Sequence, residues 1–297
     1  MDVGARTEPR VSRAPARGLV RAMRPRQWVK NVLVLAVPAA AGELGDPAVL
    51  AATATALIAF CLASAGTYLL NDVADLDADR LHPVKRFRPI PAGEVSARTA
   101  TVAGVVALVA ACAVAATSDL GLLAIVAAYI ALTAAYTRWL KHVAIFDIAT
   151  VAAGFFLRAV AGGVAADIFI SKWFLILSGG GSLFLVTAKR YAELREARTE
   201  EQRRVLSEYS EEYLRAMLAT IAGVVVIAYC IWAFGDKGGA TWATSASAVP
   251  FVLGIMRYGL LVDQGHGEEP EALLFGDKTL LGLGVACLAL LMLGTVL

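Results

Sequence analysis

Charged residues are scarce in this chain. Asp, Glu, Lys and Arg make up 18% of its 297 residues, against roughly a quarter in a soluble domain. With 58% hydrophobic residues and a mean hydropathy of +0.66, that shortage excludes an ordinary soluble fold. Cysteine is rarer still: Cys61, Cys112, Cys230 and Cys287 each stand alone inside an apolar run. Neither a disulfide framework nor a zinc site is indicated, and they read as small core hydrophobes. The three histidines, His82, His142 and His266, form no Ser-His-Asp or HxxE arrangement, so no histidine base is expected. GxGxxG and Walker loops are missing, and a net charge of only +2 gives no basis for a nucleic-acid partner. Sustained apolar–polar alternation is also missing, which excludes a membrane β-barrel.

What the chain does have is long, continuous apolar runs. A chain of this length accommodates about nine spans of about 20 residues. The runs are Val29–Gly42, Pro47–Leu70, Arg98–Thr117, Asp119–Tyr136, Ile145–Ala165, Trp173–Arg190, Leu214–Phe234, Thr241–Val262 and Leu280–Leu297. The expected fold is therefore all-α: a polytopic membrane bundle of about nine transmembrane helices, forming one catalytic domain over residues 18–297. Residues 1–17, rich in Arg, Ala and Pro, read as a disordered cytosolic tail. The basic segment Gly18–Asn31, with Trp28, suits a short helix lying on lipid headgroups. The apolar stretch after it lacks a cleavage context, so no signal peptide is expected. Gly179, Gly180 and Gly181 interrupt the sixth run, where small residues let helix backbones approach closely.

Most of the 27 Lys and Arg residues fall in four segments, 1–30, 71–98, 136–141 and 189–215. The positive-inside rule places these in the cytosol, in a multi-pass cell (inner) membrane protein with loops 71–98 and 189–215 on that side. With nine spans the C-terminus would lie outside.

The most informative stretch is Asn71–Gly93, NDVADLDADRLHPVKRFRPIPAG, between two apolar runs. On a helix, Asn71, Asp72, Asp75 and Asp79 fall within an arc of about 100°, and Asp77 points away. Three carboxylates and an amide on one face are hard oxygen ligands, suited to Mg²⁺ completed by water and phosphate oxygens. Lys85, Arg86 and Arg88 follow in a loop closed by Pro83, Pro89, Pro91 and Gly93. Acid on a helix end beside base on the next loop is an arrangement for holding a metal–diphosphate. A solvated loop would explain the charge but not its one-sided spacing.

Other polar residues stand near the same end. Lys189 and Glu193 share a helix face, with Arg190 about a quarter turn off, and read either as membrane anchors or as phosphate ligands. From there to Arg215 a solvated, salt-bridged helix is expected. Asp147 and Arg158, eleven residues apart, share an azimuth but stand about 16 Å apart along a helix. Each therefore needs another partner or a polar cavity. Tyr136 and Lys141 flank the short loop before Asp147 and are close enough to join its site. In Arg24-Pro-Arg-Gln-Trp-Val-Lys-Asn31 the simplest reading is attraction to anionic lipid, with Lys30 or Asn31 on a bound phosphate as the alternative.

The pattern Asn71-Asp72-x-x-Asp75-x-x-x-Asp79 at a helix end, in a chain of about nine spans, resembles the UbiA superfamily of intramembrane prenyltransferases. Members carry a second aspartate-rich motif on a later helix. Here the corresponding Lys189-Arg190-Tyr191-Ala192-Glu193 has cations in place of most of the carboxylates. Together with His82-Pro-Val-Lys-Arg-Phe-Arg-Pro89 and the Arg24–Asn31 and Gly181–Leu194 segments, it is similar to one branch of the family. In that branch, 5-phosphoribose passes from phosphoribosyl diphosphate (PRPP) to a polyprenyl (decaprenyl) phosphate, releasing diphosphate, on the way to cell-wall arabinan. The resemblance implies Mg²⁺ on Asn71, Asp72, Asp75 and Asp79. It also implies that the swapped cations Lys189 and Arg190 bind the sugar's 5-phosphate or the lipid phosphate. Lys30, Asn31, Lys85, Arg86, Arg88, Tyr136, Lys141, Asp147, Arg158 and Glu193 are the other residues expected at the substrate, and Asp72, Asp75, Asp79 and Lys189 the catalytic ones. PRPP, the lipid phosphate and membrane lipids are the partners so implied, and self-association is not legible. Prenyl transfer from a prenyl diphosphate to an aromatic acceptor is the alternative. Transport is a third reading, disfavoured because the charge gathers at helix ends instead of near the midplane.

Overall fold

The computed structural model describes residues 15–196, 204–235, 241–267 and 270–296, and every element among them is helical. In chain order these are α1 (Pro15–Ala22), a 3₁₀ segment (Pro25–Leu35), α2 (Ala36–Ala40), α3 (Pro47–Ala74), α4 (Leu76–Leu81), α5 (Ala97–Ala116) and α6 (Leu120–Arg138). There follow α7 (Phe146–Ala165), α8 (Lys172–Glu196), α9 (Glu211–Phe234), α10 (Thr241–Ala246), α11 (Ala248–Asp263), α12 (Pro270–Gly276) and α13 (Lys278–Val296), with short 3₁₀ turns at Lys85–Phe87, Leu140–His142 and Arg204–Glu208. Capping residues start the long helices where the apolar runs begin. Asp46, Ser96, Asp119 and Ser210 each accept a hydrogen bond from a backbone N–H of the first turn of α3, α5, α6 and α9. Pro47 adds a pre-set first position to α3.

Among the described residues, six helices are long and apolar enough to cross a membrane: α3, α5, α6, α7, α9 and the stretch Trp242–Asp263. The other three expected runs do not form helices of that kind among the described residues, each for a local reason. Residues Val29–Gly42 form the end of the 3₁₀ segment and the five-residue α2 in place of a long helix. In α8 the apolar run is diluted by Ser178-Gly-Gly-Gly-Ser182 and ends in charge. The last helix is apolar over Lys278–Gly294 only. The expected tail falls mostly on residues 1–14, outside the described residues, and α1 begins at Pro15 within the part read as tail. Residues 197–203 of the expected salt-bridged helix also lie outside the described residues.

Helix α7 is the axis of the bundle. Its apolar window is 56% buried, more than that of any other candidate span. One hydrophobic core packs Val34, Phe60, Leu122, Val126 and Ala161, from the α3–α5–α6 side, and a second packs Ile148, Phe184, Leu214 and Tyr258, from the α8–α9–α11 side. Both include residues of α7. Glycine makes the closest approaches possible. A Cβ at Gly162 would lie 1.9 Å from the carbonyl oxygen of Val34, so only glycine lets the 3₁₀ segment lie on α7. Of the three glycines in α8, Gly180 sits against Val225 of α9, where a Cβ would meet Val225 Cγ2 at 2.7 Å. That is the close-packing role expected for this run.

Candidate active site

The acidic stretch follows directly on α3. The helix breaks at Asp75 (φ −95°, ψ 9°) and resumes as α4, so the four oxygen-bearing residues do not share one straight helix face. The break divides them into two adjoining pairs. In the first, Asp72 and Asp79 are 1% and 4% exposed and are bridged by Arg88, whose Nη1 donates to Asp79 Oδ2 at 2.7 Å and to Asp72 Oδ1 at 3.3 Å. Lys85 Nζ stands 3.9 Å from Asp79 Oδ1. In the second pair, Asn71 Nδ2 donates to Asp75 Oδ2 at 3.3 Å, and Thr137 Oγ1 donates to Asn71 Oδ1 at 3.0 Å. Lys141 Nζ lies 2.7 Å from Asp75 Oδ1. The side chain of Asp77 is 96% exposed, pointing away as its spacing predicts.

A fourth cation at this site had no sequence expectation of a carboxylate partner. Arg24 Nη2 forms a short ion pair with Asp72 Oδ1, and its guanidinium lies over the Tyr68 ring at 4.9 Å. The residue sits in the left-handed region (φ 54°, ψ 60°) directly before Pro25, where α1 turns into the 3₁₀ segment. A non-glycine residue held there marks a constrained position. The basic cluster beside Trp28 therefore sends one arginine into the acidic site. Its place in the basic Arg24–Asn31 segment is the signal the sequence carries for this.

Asp72 Oδ1 receives both Arg24 and Arg88, while its other oxygen, Oδ2, is buried with no hydrogen-bond partner. An orphaned carboxylate oxygen is costly, which leaves Asp72 Oδ2 open to a further partner. Among the described residues no three His, Cys, Asp or Glu side chains gather as a ready metal site. Asp72 and Asp79 offer oxygen donors of the kind Mg²⁺ takes through one or two carboxylates, keeping places for water and phosphate.

The second group of expected residues also assembles, in a different form. Arg190, 3% exposed, donates from Nε to Asp147 Oδ2 at 2.7 Å and from Nη1 to Glu193 Oε2 at 2.5 Å. Its Nη2 is 3.5 Å from the hydroxyl of Tyr136. Asp147, fully buried at the start of α7, accepts a further hydrogen bond on Oδ1 from Tyr209 Oη at 2.6 Å. That hydroxyl also accepts from the backbone N–H of Ile145, a β-branched residue at φ 70°. Burial and the Asp147 hydrogen bond push the Tyr209 phenol well above the usual tyrosine range. Arg190 is thus clasped by two carboxylates, whereas Lys189 keeps a 37% exposed side chain 3.9 Å from Glu193. Tyr209, more than sixty positions from Asp147, carries no sequence signal for this contact.

Four expected residues stand apart from both groups. Arg158 donates from Nε to Asn31 Oδ1 at 2.7 Å, from Nη1 to the Gly154 carbonyl at 2.8 Å and from Nη2 to Tyr129 Oη at 2.7 Å. It lies over the Tyr129 ring at 4.6 Å, and Asn31 is fully buried beside Cys61 and Ser64. Arg158 and Asn31 are therefore each other's partners, linking the 3₁₀ segment to α7 deeper in the bundle. Arg86 is exposed, its guanidinium 4.8 Å from the Phe87 ring centroid. Lys30 is 5.9 Å from the centre of the Phe155 ring, one helical turn from Arg158.

The arrangement is a set of buried carboxylates, each held by cations, at one end of a helical bundle. Comparison with known proteins gives it a family. Residues 32–278 match the model of the UbiA prenyltransferase family, and the chain belongs to that family. It is 44% identical over 280 residues to the decaprenyl-phosphate phosphoribosyltransferase of Mycolicibacterium smegmatis, covering 89% of this chain and 87% of that one. It is likewise 44% identical to the Mycobacterium tuberculosis protein of the same name, over 95% of this chain and 97% of the relative. Among solved structures, a UbiA homolog from Archaeoglobus fulgidus bound to GPP and Mg²⁺ superposes with a TM-score of 0.70. That match has 17% identity and covers 94% of this chain and 98% of that one.

Proposed function

We propose that this protein transfers 5-phosphoribose from PRPP to a polyprenyl phosphate, decaprenyl phosphate in its relatives, releasing diphosphate. The product would be a lipid-linked precursor of cell-wall arabinan. The observation that carries the reading is 44% identity, over nearly the full length of both chains, to decaprenyl-phosphate phosphoribosyltransferases. The site chemistry supports it. A prenyl transferase with two acidic clusters places carboxylates where this chain has Lys189 and Arg190, and here Arg190 is already neutralised by Asp147 and Glu193. One acidic cluster then serves one diphosphate, which belongs to the sugar donor.

Asp72, through Oδ2, and Asp79 would hold Mg²⁺, with Asn71 and Asp75 beside them. Bound there, the metal would neutralise the leaving diphosphate. Arg24, Arg88, Lys85 and Lys141 stand around the same oxygens and supply the remaining positive charge to the departing group. Lys189 takes the phosphate of the lipid or the 5-phosphate of the sugar. The nucleophile is a phosphate monoester, already largely anionic near neutral pH. It needs no general base, in keeping with the lack of a histidine in either group. The site faces the cytosol, where the positive-inside rule puts this end of the bundle. In-line displacement would invert the anomeric centre of the ribose.

The test is incubation of membranes containing the protein with labelled PRPP, polyprenyl phosphate and Mg²⁺. Label extracted into lipid, lost on chelation of the metal and carried on the inverted anomer, is the expected result. No labelled lipid, together with transfer from a prenyl diphosphate to an aromatic acceptor, would replace the proposal with aromatic prenylation.

A further inference from the structure

We propose that Arg24 and Arg88 make the acidic site accept a divalent cation together with a diphosphate and reject the cation alone. The inference rests on the reading of Asp72 as a metal ligand and deepens it. Its starting point is the lopsided occupancy of one carboxylate. Both guanidinium groups converge on Asp72 Oδ1, while Oδ2 is buried and without a hydrogen-bond partner. The side chain of Asp72 is 1% exposed, whereas those of Arg24 and Arg88 are 28% and 31% exposed. The carboxylate is thus buried while the two cations that hold it stay partly open to solvent.

A bare dication that reaches Oδ2 meets two positive charges on the neighbouring oxygen, in a place where little water screens them. Four cations already balance the three carboxylates of the cluster. A divalent ion therefore adds uncompensated positive charge. A diphosphate arriving with it removes that surplus. Its oxygens offer the planar, multi-donor guanidinium groups a partner that matches their geometry better than a shared carboxylate oxygen. Arg24 and Arg88 then turn from Asp72 to the diphosphate, and Asp72 is left to the metal. Metal and diphosphate binding become coupled, and each must strengthen the other by the same factor. The constrained backbone of Arg24, with its side chain against Tyr68, holds the guanidinium at the hand-over point.

Equilibrium dialysis of the purified full-length protein in detergent, with Mn²⁺ as probe and with or without inorganic diphosphate, tests this. The protein-free chamber corrects for Mn²⁺–diphosphate in solution. In the wild type, diphosphate is expected to tighten Mn²⁺ binding at least tenfold. In Arg24→Gln, Mn²⁺ alone is expected to bind several-fold more tightly than to wild type, while binding with diphosphate weakens. Arg88→Gln should show the same opposite signs, and it stands in if Arg24→Gln does not fold by size-exclusion profile. A purely structural arginine would weaken both measurements together. If both variants bind bare Mn²⁺ no better than wild type while the wild type still binds Mn²⁺ with diphosphate, the guarding role is overturned and the metal site stands. If the wild type binds no Mn²⁺ under either condition, the metal reading of Asp72 fails and this inference with it.

Discussion

At the scale of single residues, the two groups of buried charge differ in what their cations are free to do. Arg190 is clasped by Asp147 and Glu193 and lies almost wholly inside the protein. Removing it would strand two carboxylates, so Arg190→Ala should cost stability before it costs substrate affinity. Lys189 has a looser hold and a more open side chain. Lys189→Ala is expected to raise the KM for a phosphorylated substrate about tenfold, with kcat less affected, in steady-state transfer kinetics. Asp72→Asn should lower transfer by about 100-fold or more while leaving the size-exclusion profile unchanged, since it removes a ligand for charge that neutralises the leaving group. Asp77→Asn, at a 96% exposed side chain, should remain within about twofold of wild type. Equal losses at Asp77 and Asp72 would contradict the outward placement of Asp77.

At the scale of elements, two contacts fix the parts that carry the site. The 3₁₀ segment lies on α7 through Gly162, where a Cβ would sit 1.9 Å from the Val34 carbonyl oxygen. Gly162→Ala is expected to push the segment away, lowering the thermal midpoint in detergent by several degrees and reducing activity through Arg24, which the same segment follows. At the other side, Tyr209 ties the stretch before α9 to the start of α7 through Asp147 and Ile145. Its phenol is raised above its ordinary value, by burial first and then by Asp147. The neutral phenol therefore contributes fully below the unfolded tyrosine value of about 10, and its contribution is lost as pH rises above that. Thermal midpoints measured between pH 8 and 11 should fall more steeply for wild type above pH 10 than for Tyr209→Phe. At neutral pH the variant should be less stable by about 1 kcal/mol, for the lost hydrogen bonds.

At the scale of the molecule, both charged groups are carried by helix ends that meet at one end of the bundle: the C-terminal ends of α3, α6 and α8 and the N-terminal end of α7. Two half-cores join on α7, so the helix that bears Asp147 is also the one most deeply packed. If that end faces the cytosol, Asp77→Cys should react with a membrane-impermeant maleimide in inverted vesicles and not in intact cells. Reaction in intact cells would reverse the topology drawn from the basic loops.

Several features were decided by the order of residues alone. Long apolar runs with few charges commit the chain to membrane helices, because an unpaired backbone has no partner in hydrocarbon. Helical periodicity over less than three turns turns Asp77 outward, as the structure has it, but the break at Asp75 splits Asp72, Asp75 and Asp79, which the spacing alone would put on one face, between two pairs. What only the tertiary structure decided are the pairings between residues distant in the chain: Arg24 with Asp72, Arg158 with Asn31, Tyr209 with Asp147. A buried charge takes whichever partner the packing brings within reach, and that depends on how α7, the 3₁₀ segment and the approach to α9 settle against one another. The same packing pairs Arg158, whose partner the sequence left open, with Asn31, and makes Arg190, expected as a phosphate ligand, the buried centre of its own cluster. Local periodicity is a property of neighbours along the chain; the balance of buried charge belongs to the assembled bundle.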